Sequence, residues 1–293
     1  MKRVLTSVVF LIFTICLTSF AFAANQTPIR IATGGERGLY YGVAGKNIAM
    51  HLGRIPIDLL ITSGSVENID LLRKGEADLA IIQYDSLLTE GKDMNLIVIT
   101  PLYDEYVHLI TRRADDNIDS IKDFKPETTK LAIGIDGSGT SVTWKGFCSL
   151  DESYKKIATL PIGGSRALSE LAQGNIQGVL IVGGLKMGDV VRADADGKTY
   201  KMAAVDDWDF DNAKYNNQKI YEFKSLSSHT YPGLIRGGFI SANKIETIAL
   251  KSVLVTTTKW ADENPKLYDR VFDAANSAKP NIEQELDARR KGK

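Results

Sequence analysis

The residues best suited to chemistry in this chain lie in two glycine-rich turns. The first reads R-I-A-T-G-G-E-R-G-L-Y-Y-G over Arg30–Gly42, the second G-I-D-G-S-G-T over Gly134–Thr140. A short apolar run enters each turn (Ile29–Thr33 and Leu131–Ile135). A helical pattern leaves it, through Tyr41, Val43 and Ile48 in one case and Trp144 in the other. A glycine turn that opens a helix presents unpaired backbone N–H groups and the positive end of the helix dipole, which suits a carboxylate as well as a phosphate. Neither turn is a nucleotide loop. The first has adjacent glycines where G-x-G-x-x-G needs them spaced, and the second lacks Gly-Lys-Ser/Thr. Each turn is then either an anion cradle or a plain strand-to-helix connector.

Neutral polar residues follow the turns. Tyr40 and Tyr41 start a helix, one directed to the core and the other to a cleft. Ser65 and Asn68 open a second helix, and Gln83-Tyr84-Asp85 follows directly on a strand end. These groups suit a zwitterion or a hydroxy acid. Asp85 either accepts a ligand ammonium or caps the next helix.

The residues do not point to catalysis. Ser138 lies in G-S-G, not in G-x-S-x-G. His51, His108 and His229 are isolated, with His108 in an apolar strand, and Cys148 reads as a small buried apolar residue. No His/Cys/carboxylate set has metal-ligand spacing, and Asp206–Asp211 lacks the glycine and glutamate of a calcium loop, so it reads as a solvated loop. The expectation is no enzyme, no cofactor and no metal.

The elements that must position these residues repeat. Shifted by 99 residues, Ile61–Ile82 aligns with Leu160–Ile181, pairing Gly64 with Gly163, Leu72 with Leu171 and Gly75 with Gly174. Ser65 or Ser63, and Gly164-Ser165, stand at helix starts. Apolar residues recur at helical spacing, and Gly75 and Gly174 stop the helices. The strands Leu79–Ile82 and Val179–Val182 follow. Each half therefore alternates strands and helices, which implies an α/β protein with a mainly parallel sheet flanked by helices in each of two lobes, and a cleft and hinge between them. One continuous doubly wound sheet is the alternative. Tyr106–Thr111 reads as the first crossing between lobes, a strand, and Ser225–Gly238 as the return. Ile245–Trp260 and Lys266–Ala278 read as helices.

The 293 residues hold 44% hydrophobic and 25% charged side chains, enough for a sizeable core. Residues 1–23 join a basic head to an apolar run ending in Ala21-Phe22-Ala23, the pattern of a cleaved secretory signal; an uncleaved anchor is the other reading. Cleavage removes Lys2, Arg3 and Cys16, so 36 basic residues become 34 against 36 acidic, a net charge of −2. That balance gives no footprint for nucleic acid or an anionic membrane. Cys148, the one cysteine left, fits a periplasm better than a disulfide-dense exterior. The expected division is 1–23 signal peptide, 24–110 plus 232–293 lobe one, and 111–231 lobe two, in a monomer.

Four stretches carry a family resemblance: Ile31–Gly42, Thr62–Asp85, Leu102–Arg112 (L-Y-D-E-Y-V-H-L-I-T-R) and Leu131–Thr140. In order and spacing they resemble the TAXI group of solute receptors, the extracytoplasmic binding components of TRAP transporters, and Tyr231-Pro232-Gly233 resembles a later element of that family. The resemblance implies a periplasmic binding protein of type II fold that captures a small carboxylate or amino acid, glutamate- or glutamine-like, for a TRAP membrane permease driven by an ion gradient. It maps a ligand shell onto Gly34, Gly35, Tyr40, Tyr41, Ser65, Asn68, Gln83, Ser138, Gly139, Thr140 and Tyr231. After residue 140 the match weakens: Val182-Gly183-Gly184-Leu185-Lys186 stands where the family often has Gly-Pro, and Leu234–Phe239 is unlike it. Gly183 joins the candidate shell there. Arg166 is either a bidentate carboxylate clamp or a solvated surface arginine. The rival reading is a periplasmic ligand-sensing subunit that reports to a membrane signalling protein.

Overall fold

A computed structural model describes residues 27–236 and 243–291. The expected signal segment 1–23 with Cys16, Gly237 and Gly238 of the expected return crossing, and Phe239 of the stretch unlike the family lie outside the described residues. No helix among the described residues is long and apolar enough to cross a membrane.

The chain begins with β1 (Ile29–Ala32), a π-helical turn (Tyr40–Gly45) continuing into α1 (Lys46–Leu52), β2 (Ile57–Leu60), α2 (Ser65–Lys74), β3 (Leu79–Gln83) and α3 (Ser86–Thr89). The 17-residue β4 (Leu96–Arg112) leads to β5 (Lys130–Ala132), α4 (Gly139–Leu150), β6 (Ala158–Leu160), α5 (Gly164–Gln173), β7 (Gly178–Gly183), α6 (Gly188–Ala195) and β8 (Tyr200–Ala203). The hairpin β9 (Lys214–Tyr215) and β10 (Gln218–Lys219), then β11 (Tyr221–Ser227), β12 (Lys244–Thr257), α7 (Thr258–Glu263) and α8 (Pro265–Arg290) complete it.

The main sheet runs β2-β1-β3-β12-β4-β7-β5-β6, with β11 on β12 and β8 on β4. Its two ends are parallel, β2-β1-β3 and β7-β5-β6, and two long antiparallel strands join them. Two α/β halves and one continuous sheet are thus both present, because β4 and β12 serve both halves. Along β4 the pairing with β12 ends at Tyr106, where the pairing with β7 begins. Along β12 the pairing with β11 ends at Leu250 and the pairing with β3 begins at Ser252.

The repeated helices form as their sequences require. α2 and α5 both end on a glycine in the left-handed region, Gly75 at φ 69° and Gly174 at φ 79°, whose N–H groups return to carbonyls of the last turn. β3 is buried along its whole length. Its Leu79 and Ile81 join the core under α1 and α8, while Ala80 and Ile82 join the core on the other face.

Two elements differ from expectation. The segment expected as a helix over Ile245–Trp260 is β12 up to Thr257, with only the short α7 after it. It pairs with β3, β4 and β11 and is buried on both faces, so it carries no polar–apolar alternation to separate strand from helix. Its Thr, Ile and Val content was the available signal. The helix expected over Lys266–Ala278 is α8, which continues through Pro280 to Arg290. Proline removes one helical N–H, yet Ala278, Ile282 and Leu286 keep the stripe buried on the core and carry the helix past it.

Candidate functional site

A cavity of about 440 Å³ opens between the two halves of the sheet. Three parts of the chain wall it.

The first wall is built on β1, β2 and β3. Thr33 anchors the first glycine turn by donating its Oγ1 hydrogen to Leu60 O at 2.7 Å. Gly34, Gly35, Arg37, Gly38, Leu39 and Tyr40 then face the cavity, as do Ser63, Gly64 and Ser65. Ser65 does not cap α2. Its Oγ accepts from the Gln83 N–H at 2.9 Å, which ties the turn to the end of β3. The Tyr40 hydroxyl donates to Glu105 Oε2 at 3.0 Å. Glu105 is buried on β4 beside the crossing residue Tyr106, and burial pushes its carboxyl up to about 7, with the Asp85 charge adding to the effect.

The second wall belongs to β7 and α4. Ser138 is the N-cap of α4, its Oγ accepting from the Ser141 N–H at 3.3 Å, and Gly139 opens the helix at the cavity edge. A Cβ on Gly139 would lie 2.5 Å from Gln83 Oε1, so the two walls touch through a glycine that leaves room for the amide. Gln83 Oε1 is buried with no hydrogen-bond partner among the described residues. The loop after β7 lines the cavity from Val182 to Gly188. Lys186 holds the left-handed φ of 58° that non-glycine residues rarely adopt. A relay fixes it there: the Lys186 N–H donates to Tyr231 Oη at 2.8 Å, and Tyr231 lies 3.0 Å from His108 Nε2. Burial drives the His108 pKa down to about 4, so the ring is neutral, and its Nδ1 faces Ile181 O at 3.3 Å. The Tyr231 hydroxyl therefore donates to Nε2.

The third wall is the end of α8, through Leu286, Arg289 and Arg290.

Of the residues expected in the ligand shell, Gly34, Gly35, Tyr40, Ser65, Gln83, Gly139 and Gly183 line this cavity. Tyr41, Asn68, Ser138, Thr140 and Tyr231 do not, each for a physical reason. Tyr41 turns toward Lys46, whose Nζ lies 5.4 Å from its ring centroid. Asn68 is fully buried, donating to Thr33 O at 2.5 Å and Ile81 O at 2.7 Å and accepting from Thr62 Oγ1 at 2.6 Å. Ser138 caps α4. Thr140 Oγ1 accepts from the Val182 N–H at 3.1 Å. Tyr231 acts one step back, through Lys186.

Asp85 lies outside the cavity lining and makes no side-chain cap. It is buried, and its Oδ2 accepts from Thr143 at 2.6 Å and Tyr221 at 3.0 Å. Arg166 is exposed and lines no part of the cavity, which matches the solvated reading. The acidic run is a short 3-10 turn in which Asp207 caps its own first turn and accepts from Tyr154 at 2.6 Å.

Arg37, Glu105, Lys186, Arg289 and Arg290 were not expected. Arg37 stood inside the quoted turn and Lys186 beside Gly183, where position could have suggested them. Arg289 and Arg290 gave no local signal, because α8 carries them in from beyond its proline.

Residues 31–268 match the profile of the NMT1-like family. Among solved structures, the chain is similar to AbpA, an amino acid ABC transporter substrate-binding protein from Streptococcus pneumoniae bound to L-arginine (13% identity, 90% of this chain and 94% of that one, TM-score 0.52). It is also similar to the GluR0 ligand-binding core from Nostoc punctiforme in complex with (L)-glutamate (15% identity, 89% and 98%, TM-score 0.52). A third likeness is to an ABC uptake transporter substrate binding protein from Streptococcus pneumoniae with bound histidine (14% identity, 91% and 93%, TM-score 0.53). At these identities the likeness shows the fold, the two-lobed mixed α/β architecture of type II periplasmic binding proteins.

Proposed function

The chain belongs to the NMT1-like family, and from that premise and the cleft we propose that it is an extracytoplasmic solute receptor for a small carboxylate or amino acid. The observation that carries the reading is the cavity itself. It is walled by glycine turns at the carboxyl ends of parallel strands from both halves of the sheet, where open α/β proteins take ligands. The three amino-acid-bound proteins of the same fold support the ligand class.

The ligand carboxylate docks against the first-turn N–H groups of α4 and against Ser65, since the Ser63 and Gly64 N–H groups already donate to Glu67 Oε2 and Thr62 Oγ1. Gln83 Oε1 accepts a ligand N–H or O–H. Closure then buries the ligand over the Glu105 floor. Starting from lobe one as 24–110 plus 232–293 and lobe two as 111–231, we shift both boundaries to the strand pairings. The strand pairings favour hinges at Tyr106 and Lys251, which moves the second crossing from Ser225–Gly238 into β12 and puts 232–250 with lobe two, where Leu234 and Ile235 pack. The closed form is what a permease of the TRAP type recognises, in the periplasm, after removal of the signal segment.

A thermal-shift screen of the mature protein, refolded to strip carried ligand, tests this against amino acids, mono- and dicarboxylates, hydroxy acids and sugars. A ligand at ~100 times its Kd adds about 2.7 kcal/mol to a receptor that binds only when folded. A shift with one carboxylate class is expected. A flat response across every carboxylate and amino acid overturns the receptor reading.

A further inference from the structure

We propose that the C-terminal helix is part of the ligand site: Arg289, with Lys186 and Arg37 on the same cavity, forms a second anion subsite that selects solutes carrying two anionic groups over monoanions. This deepens the receptor reading and rests on it.

The end of α8 is placed with care. Leu286 is buried in the core and fixes the last turns of the helix. Arg290 is paired with Asp287 at 2.9 Å. Arg289 has no carboxylate within ion-pair distance among the described residues, yet it faces the cavity. Its guanidinium packs over the π-helical turn, where Nη2 lies 3.5 Å from the position a Cβ on Gly42 would take, an ordinary van der Waals contact. Lys186 and Arg37, both exposed, line the same cavity and likewise lack an ion-pair partner among the described residues. Lys186 is held there in a strained backbone conformation by Tyr231.

The charge balance then identifies the ligand class. Among the described residues the cavity lining contains one carboxylate, Glu105. It accepts from Tyr40, and burial leaves it only partly ionised near neutral pH. Three unpaired cations therefore face a cavity of about 440 Å³. All three are exposed in this form; a monocarboxylate seated at the glycine turns balances one of them, and lobe closure that withdraws another from water unpaired costs up to several kcal/mol. A second anionic group pairs Arg289 and removes that ion's share of the cost, and a guanidinium can hold it through two parallel hydrogen bonds.

The test is calorimetric titration of ligand-stripped mature protein with two matched pairs, glutarate against butyrate and glutamate against glutamine. Each pair differs by one carboxylate. The more anionic member of each pair is expected to bind at least about tenfold tighter. In Arg289→Gln the members of a pair should converge to within about threefold, with Arg289→Lys between the two. An unchanged melting temperature of the empty variant separates loss of the subsite from loss of the fold. Equal affinity within both pairs in the wild type, or a preference that survives Arg289→Gln, overturns the subsite and leaves the receptor reading standing. If no carboxylate binds at all, the receptor reading falls first and the subsite with it.

Discussion

Asn68 and Ser65 stand three residues apart on one helix and play different parts. Asn68 joins three strands' worth of loose ends, bonding Thr33 O, Ile81 O and Thr62 Oγ1 with no solvent contact. Removing it strands buried acceptors, each worth about 1–3 kcal/mol when left unpaired. Asn68→Ala is therefore expected to lower stability by about 2–4 kcal/mol in urea denaturation, with any loss of affinity following from the fold. Ser65 lines the cavity and holds only the Gln83 N–H. Ser65→Ala should cost about 1 kcal/mol of stability while weakening ligand binding in calorimetry. If Asn68→Ala melts like the wild type and only binding drops, the bracket role is wrong. Both residues are legible in the sequence as polar groups at a helix start. What divides them is which way the helix faces, and that is set by packing against β1 and β3, not by local spacing.

At the scale of elements, Asp85 ties the end of β3 to α4 through Thr143 and to β11 through Tyr221, with its Oδ1 buried and unpartnered among the described residues. Burial raises its pKa from 3.8 to about 6, the two hydroxyl donors offsetting part of that. The folded state thus holds a proton that the unfolded chain has already released between those values. For a carboxyl raised on folding, the contribution to stability is complete below the unfolded pKa and is lost as pH rises through the folded one. From pH ~4 to ~7 the wild type should lose up to about 3 kcal/mol relative to Asp85→Asn, which has no proton to release. Urea midpoints of the two proteins across that range check it, and parallel curves would refute the assignment. The same scale shows where sequence reading succeeds. Glycine stops such as Gly75 and Gly174 are local and could be read directly. β12 and the second half of α8 depend on partners more than 100 residues away, at β3, β4 and α1. A doubly buried strand and a helix that runs through Pro280 offer no local pattern to read.

At the scale of the whole molecule, the cleft was legible as two facing turns, but its electrostatics were not, since Arg289 reaches it only through the tertiary placement of α8. The same arrangement makes closure testable. The two halves meet where Gln83 abuts Gly139 and where Leu39 abuts Gly184, whose added Cβ would lie 2.8 Å from Leu39 Cδ1. Both contacts span the cleft and neither belongs to a core cluster on one side alone. A methyl on Gly139 would press on the whole Gln83 amide, with Cδ at 2.7 Å and Nε2 at 2.8 Å. Gly139→Ala should therefore disfavour the closed form without disturbing either core. Its expected signature is ligand affinity reduced by about tenfold or more, little change in the melting temperature of the empty protein, and a radius of gyration by solution scattering that no longer contracts fully when ligand is added. Removing the obstructing amide supplies the internal control. In Gly139→Ala with Gln83→Ala the clash is gone, so contraction should return even though affinity stays low for want of the Gln83 acceptor. A double variant that remains expanded with ligand bound would mean that the Gln83–Gly139 contact does not limit closure, and that the lobes meet elsewhere.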